Sequence, residues 1–187
     1  MVIEKAKTIS LFIVFSIITF LSVEFLIPLF TNPNLFCLVP RETRFLSGIL
    51  LMHFDHANMS HLGTNIIPFL VLSSLIILRK NISYLFTFYI LSFIISGSLL
   101  WILGQSGCHI GASAIIFALW GFIVSQGIFT KCPKDIIIGF LIGFVYISFI
   151  YGLSPLQNGV SWDGHLYGLI SGVLIASFLR NKEKNTK

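Results

Sequence analysis

Three short runs of this chain carry the groups that acyl transfer needs: His56, His61 and Asn65; then Gly111, Ala112 and Ser113; then His165 with Gly168 and Gly172. A serine hydroxyl is a weak nucleophile until a base takes its proton, and the oxyanion formed by its attack needs donors already aimed at it. Ser113 offers the hydroxyl and His165 the base, while His61 and Asn65 offer donors. His61 and Asn65 are four residues apart and share one helix face. His165, Gly168 and Gly172 stand at i, i+3 and i+7, so the imidazole lies where its helix can approach a neighbour most closely. Ser113 follows the polar loop 104–109 within one turn, where a helix start has free amides and a dipole that favours negative charge. Gly111 lets another backbone or a substrate come close. Taken singly, each run has a plainer reading: a membrane serine usually bonds back to its own helix, and His61 and Asn65 could simply join neighbouring helices. Their shared depth argues for chemistry, because each run lies near the start of an apolar stretch that continues to a basic end.

The elements that must position these groups are membrane helices. Of 187 residues, 56% are hydrophobic and 10% charged, with a mean hydropathy of +0.93; soluble chains carry roughly a quarter charged residues. A span needs about 20 mostly apolar residues. Six stretches qualify, at approximately 8–30, 59–79, 83–103, 111–129, 135–153 and 164–180. The expected fold is all-α, a polytopic six-helix membrane bundle forming a single domain over 1–187. The first stretch reads as a retained span and not a cleaved leader, being longer than a leader's apolar core and lacking a small-residue cleavage site. Glu24 within it is expected near the far interface or turned into the bundle. With the N-terminus inside, Lys5, Lys7, Arg79, Lys80, Lys131, Lys134, Arg180, Lys182, Lys184 and Lys187 fall on the inner side, ten of the twelve Lys and Arg. Only Arg41 and Arg44 fall outside, so the positive-inside bias gives an N-in, C-in topology. The net charge of +5 then faces anionic lipid headgroups and makes no case for nucleic acid.

The connection 31–58 contains two prolines and mixed polarity, which exclude a seventh span; its apolar pieces predict a loop that dips into the interface or packs on the bundle. His53 and Asp55 within it read as solvated interfacial residues. Pro68 frees the carbonyl of Thr64 and kinks the second span. Small residues recur at Gly164, Gly168, Gly172 and Ala176, at Gly139 and Gly143, and at Gly111, Ala114, Ala118, Gly121 and Ser125. That is the spacing by which helices approach closely in lipid. The three cysteines show no metal-like spacing; Cys37 and Cys108 fall on the outer side, with little in the sequence to pair them. Asp163, two residues before His165, lies on another face, so a Ser–His dyad without a carboxylate is expected.

These motifs resemble the rhomboid family of intramembrane serine proteases: H-x4-H-x3-N at His56, His61 and Asn65, G-x-S at Gly111 and Ser113, and H-x2-G-x3-G at His165, Gly168 and Gly172. The resemblance extends over the whole chain and is to a minimal prokaryotic member. It implies Ser113 as nucleophile and His165 as general base, with an oxyanion hole from His61, Asn65 and the Ser113 amide. It also implies His56 in the same network and Phe117 packed against the base. Single-span membrane proteins are the implied substrates, cut near the outer face of a prokaryotic cell membrane, with lipid around the bundle and neither cofactor nor metal required. Three features depart from the family's pattern: Ala114 and Ala118 stand where glycine is frequent, Tyr167 replaces a small residue, and the Trp-Arg pair of the first loop is matched only loosely by Arg41 or Arg44.

Two other readings compete. A catalytically silent relative would bind membrane helices without cutting them, though such proteins usually lack the serine or the histidine. A metal transporter using His53, His56, His61 and His165 would need more carboxylates in the spans and an internal repeat, and neither is visible.

Overall fold

Caps and breaks written in the sequence set the helix boundaries. The computed structural model describes residues 2–26, 35–157 and 159–185. The last residues of the expected first span (27–30), the start of the following loop (31–34) and Lys187 lie outside them. Among the described residues there are seven α-helices and no β-strand: α1 (Val2–Phe25), α2 (Gly48–Leu51), α3 (Met59–Arg79), α4 (Ile82–Leu103), α5 (Ser113–Thr130), α6 (Pro133–Val145) and α7 (Trp162–Asn185). The Asn58 side chain caps α3 by accepting from the His61 N–H at 2.9 Å, and Asn81 caps α4 by accepting from the Tyr84 N–H at 2.8 Å. Such caps satisfy amides that a helix start leaves without partners. Lys131, at φ 57°, turns the chain out of α5, and Pro133 opens α6 where no amide proton is needed.

α1, α3, α4 and α5 are each long and apolar enough to cross a membrane. The expected fifth span does not run straight. α6 stops at Val145, and the chain continues through Tyr146 into 3-10 turns over Ile147–Leu153, bent by 63°. Together the pair would make a fifth crossing. α7 is long, but Asp163, Gly164 and His165 make its first turn polar. Large apolar side chains face outward, Phe140 at 73% exposure and Phe144 at 67% among them. Water would not tolerate that surface on a folded monomer; lipid accounts for it, and the chain is an integral membrane protein.

α5 is the enclosed centre, with Ile115, Ile116, Leu119 and Phe122 almost inaccessible, and its most extensive contact is with α7. A Cβ at Gly168 would overlap the carbonyl oxygen of Ala114, and one at Gly172 that of Ala118. The α7 glycines therefore lie directly on the α5 backbone. On the α5 side the contact is made at Ala114 and Ala118, and the α7 glycines supply the room for it. Tyr167 turns away and packs with Leu38, Met52, Leu100 and Ala114, its hydroxyl donating to the Leu103 carbonyl at 3.3 Å. At the opposite end of the bundle, Arg79 of α3 pairs with Asp135 of α6, and Thr130 Oγ1 donates to the same carboxylate at 2.7 Å.

The first loop packs on α4. Gly97 of α4 leaves no room for a Cβ beside the Ile49 backbone, and Arg41 donates to the carbonyls of Ile102 at 3.2 Å and Gly104 at 2.8 Å, ending α4. Leu38 and His109 exchange backbone bonds of 3.1 and 2.9 Å, and next to them Cys37 and Cys108 form a disulfide with Cα atoms 5.4 Å apart, a pairing that sequence spacing gave little reason to assign. His53 departs from expectation too. It is 1% exposed and stacked on Phe93 at 4.6 Å between ring centroids, because the loop folds back onto α4 instead of staying in the interface.

Candidate active site

The three runs meet at the start of α5. Gly111 has φ +120°, a conformation suited to glycine, and a Cβ there would lie 2.8 Å from His61 Cε1. That vacancy lets the His61 imidazole rest against the turn. The Gly111 N–H donates to the Met52 carbonyl at 2.7 Å and the Ala112 N–H to His56 Nε2 at 3.3 Å. Both amides before the helix are thus taken by the first loop. The first intrahelical bond runs from the Ile116 N–H to the Ala112 carbonyl at 3.0 Å, so Ser113 begins the turn whose amides have no intrahelical partner.

A cavity of about 770 Å³ opens beside this turn, lined by His61, Asn65, Ser113, Phe117, Gly152 and His165 together with loop residues 105–110 and 159–161. His165 is held on two sides. Its ring lies 4.2 Å from that of Phe117 and nearly parallel, at 7°, and its Nδ1 is 2.7 Å from the Gly152 carbonyl oxygen. A carbonyl can only accept, so Nδ1 carries the proton and Nε2 keeps its lone pair. Gly152 comes from the 3-10 turns after α6, and a Cβ on it would meet Phe117 Cζ at 2.8 Å and His165 Nδ1 at 3.0 Å. Sequence reading missed this residue; the only signal was a glycine within the apolar stretch, which spacing alone could not link to His165. The bend that cuts the fifth span short is what delivers the carbonyl.

On the donor side, the Ala57 N–H donates to His61 Nδ1 at 3.4 Å, which leaves the His61 proton on Nε2. Asn65 is 7% exposed and its Nδ2 has no hydrogen-bond partner. His56 packs edge-on against His61 at 5.1 Å between centroids. Burial first, and the neighbouring His61 second, hold its pKa down to about 4, so it is neutral and can accept from Ala112. Gly168 and Gly172 do not face the cavity; they set the α5–α7 separation.

Asp163 is not a partner of His165. Its carboxylate accepts from the Gln105 N–H at 2.8 Å, from Ser161 Oγ at 3.2 Å and from the Gly164 N–H at 3.0 Å. His109 joins the same cluster, Nδ1 lying 2.6 Å from Ser161 Oγ and Nε2 2.9 Å from the Gln105 carbonyl. These bonds tie the loop after α4 to the start of α7 and form the cavity rim. Among the described residues, no group of three or more His, Cys, Asp or Glu could hold a metal ion.

A hydroxyl at a helix start, an imidazole with a fixed tautomer and donors around a polar cavity inside an apolar bundle can together support acyl transfer. Comparison with known proteins points the same way. A Rhomboid domain profile matches residues 43–182. An uncharacterized protein of Mycobacterium tuberculosis is 35% identical over 157 residues, covering 79% of this chain and 65% of its own length. One of Mycobacterium leprae is 37% identical over 155 residues, covering 78% and 61%. The chain thus spans somewhat under two thirds of these relatives. The matched stretch is three quarters of the chain and runs from the first loop into α7, taking in every helix after α1, and this chain belongs to the rhomboid family.

Proposed function

We propose that this protein is an intramembrane serine endopeptidase acting through a Ser113–His165 dyad. The observation that carries the reading is the Nδ1–Gly152 bond, which leaves His165 Nε2 basic without any carboxylate. Ser113 Oγ attacks the scissile carbonyl as its proton passes to His165 Nε2. The oxyanion takes hydrogen bonds from His61 Nε2–H, Asn65 Nδ2–H and the Ser113 amide. The C–N bond then breaks, His165 returns the proton to the leaving amine, and an acyl ester remains on Ser113. Water, deprotonated by His165, hydrolyses that ester and restores the hydroxyl. The chemistry calls on no cofactor and no metal.

The substrates on this reading are single-span membrane proteins that enter from the lipid. Six crossings in an N-in, C-in arrangement, the fifth made by α6 with its 3-10 extension and the sixth by α7, put the cavity toward the extracytoplasmic face of a prokaryotic cell membrane. The positive-inside bias supports that orientation.

The experiment is fluorophosphonate labelling of purified protein in detergent. Wild type should label, and Ser113→Ala and His165→Ala should not. In a cleavage assay Asn65→Ala should retain residual activity, lowered on the order of 10²–10³ as for loss of one oxyanion donor. A folded wild-type protein that does not label, or a Ser113→Ala variant that cleaves normally, would replace this reading with that of a silent helix-binding relative.

A further inference from the structure

Glu24 is a carboxylate kept in an otherwise apolar helix, and its setting ties it to the site. It stands four residues after Phe20, so the two share a face of α1. Phe20 is buried at 4% exposure, with its ring 5.6 Å from that of His56 in an edge-on contact. The Glu24 carboxyl lies beside the His56 backbone N–H and the Asp55 carboxyl. Asp55 Oδ1 already accepts from that N–H at 3.0 Å.

Two polar atoms in this corner are buried without a partner, Glu24 Oε2 and His56 Nδ1. They are complementary. His56 Nε2 accepts from the Ala112 N–H at 3.3 Å, so the proton of the neutral ring sits on Nδ1; the Phe54 carbonyl lies near the ring but makes no hydrogen bond to that atom, which leaves it a donor in need of an acceptor. A buried donor left unmade is costly, and ionisable groups within membrane helices mark function more often than structure.

We propose that Glu24 is a positioning residue: its carboxyl accepts from His56 Nδ1–H, which keeps Nε2 as acceptor for the Ala112 amide and so holds the turn that presents Ser113. This rests on the endopeptidase reading for its consequence, but not for its geometry. The chain of bonds runs from α1 through the first loop to the start of α5, and gives the first helix a part in a site it does not line.

Two measurements test it. In the labelling assay, Glu24→Leu should react about tenfold or more slowly than wild type, the scale on which small misplacements of reacting groups act, with an unchanged melting temperature. Glu24→Gln, whose amide carbonyl can still accept, should recover most of that rate. In a His56→Ala background, Glu24→Leu should add no further loss, since residues acting through one contact are not additive. A Glu24→Leu protein that labels at the wild-type rate, or a full second loss in the His56→Ala background, overturns the proposal. Nitrogen-15 NMR of the histidines in wild type and Glu24→Leu decides it independently of activity. His56 protonated on Nδ1, with a hydrogen-bonded shift there that Glu24→Leu removes, supports it; a shift unchanged in Glu24→Leu, or His56 protonated on Nε2, sinks it. Failure of wild type to label would count against the endopeptidase reading alone.

Discussion

His53 and His56 set an acid limit on the fold. Burial alone lowers the pKa of His53 from the ordinary 6.5 to about 3, and burial together with His61 lowers that of His56 to about 4. In the folded protein both stay neutral, whereas in the unfolded chain both take up protons below 6.5. The unfolded state therefore binds more protons as pH falls from 6.5 toward 4 for His56 and 3 for His53, and stability drops through that window. Above 6.5 neither residue contributes a slope. Melting in detergent at pH 7, 5.5 and 4.5 should show the decline, and His53→Phe should make it shallower. That variant keeps the stack on Phe93 and removes two nitrogens that have no partner; equal slopes in both proteins would show that His53 does not carry the effect. At this scale residue types and helical spacing singled out the groups that surround the start of α5. They could not reveal which atom holds His165, because Gly152 lies 13 residues away across a bend. Nor could they reveal that His53 is buried, since burial there depends on a loop folding against α4.

Between α5 and α7 the contact depends on two α7 glycines whose missing side chains make room for the Ala114 and Ala118 carbonyls. Gly172→Val would force the helices apart and move His165 away from Ser113 along with them. Overpacking typically costs about 1–3 kcal/mol, and with backbone as the obstacle relief has to come from helix movement. The variant should melt at lower temperature and lose probe labelling. Gly143→Ala is the control, since its Cβ would find only Val124 Cγ2 at 3.7 Å; it should keep both properties, and a similar loss in both variants would refute the close-contact argument. Helix positions were legible because apolar length and charged ends are local signals, and α3 at Met59–Arg79 coincides with the stretch read from the sequence. The break at Tyr146 was not legible. Residues 147–153 remain apolar through it, and hydropathy cannot tell a straight span from one bent by 63°.

For the whole molecule, the three cysteines report orientation and loop closure together. Cys37 and Cys108 are joined across 71 residues of sequence, clamping the first loop to the loop that rims the cavity, while Cys132 is free and partly exposed at the other end of α5. Disulfides persist in oxidising compartments and are rare in the cytosol, so the pair fits an extracytoplasmic cavity and the free thiol a cytoplasmic end. In the chain-entropy account a crosslink over a loop of this length stabilises by about 4 kcal/mol, enough for reduction to lower the melting temperature of purified protein measurably. In intact cells a membrane-impermeant maleimide should modify no cysteine of this protein. After treatment with an impermeant reductant it should modify Cys37 and Cys108, and in permeabilised, unreduced cells Cys132 alone. Modification of Cys132 in intact cells would invert the bundle and put the cavity on the cytoplasmic side. Modification of Cys37 and Cys108 without reductant would mean that the clamp is open in the cell and that the rim is left to contacts such as the Leu38–His109 bridge, Arg41 and the Asp163 cluster.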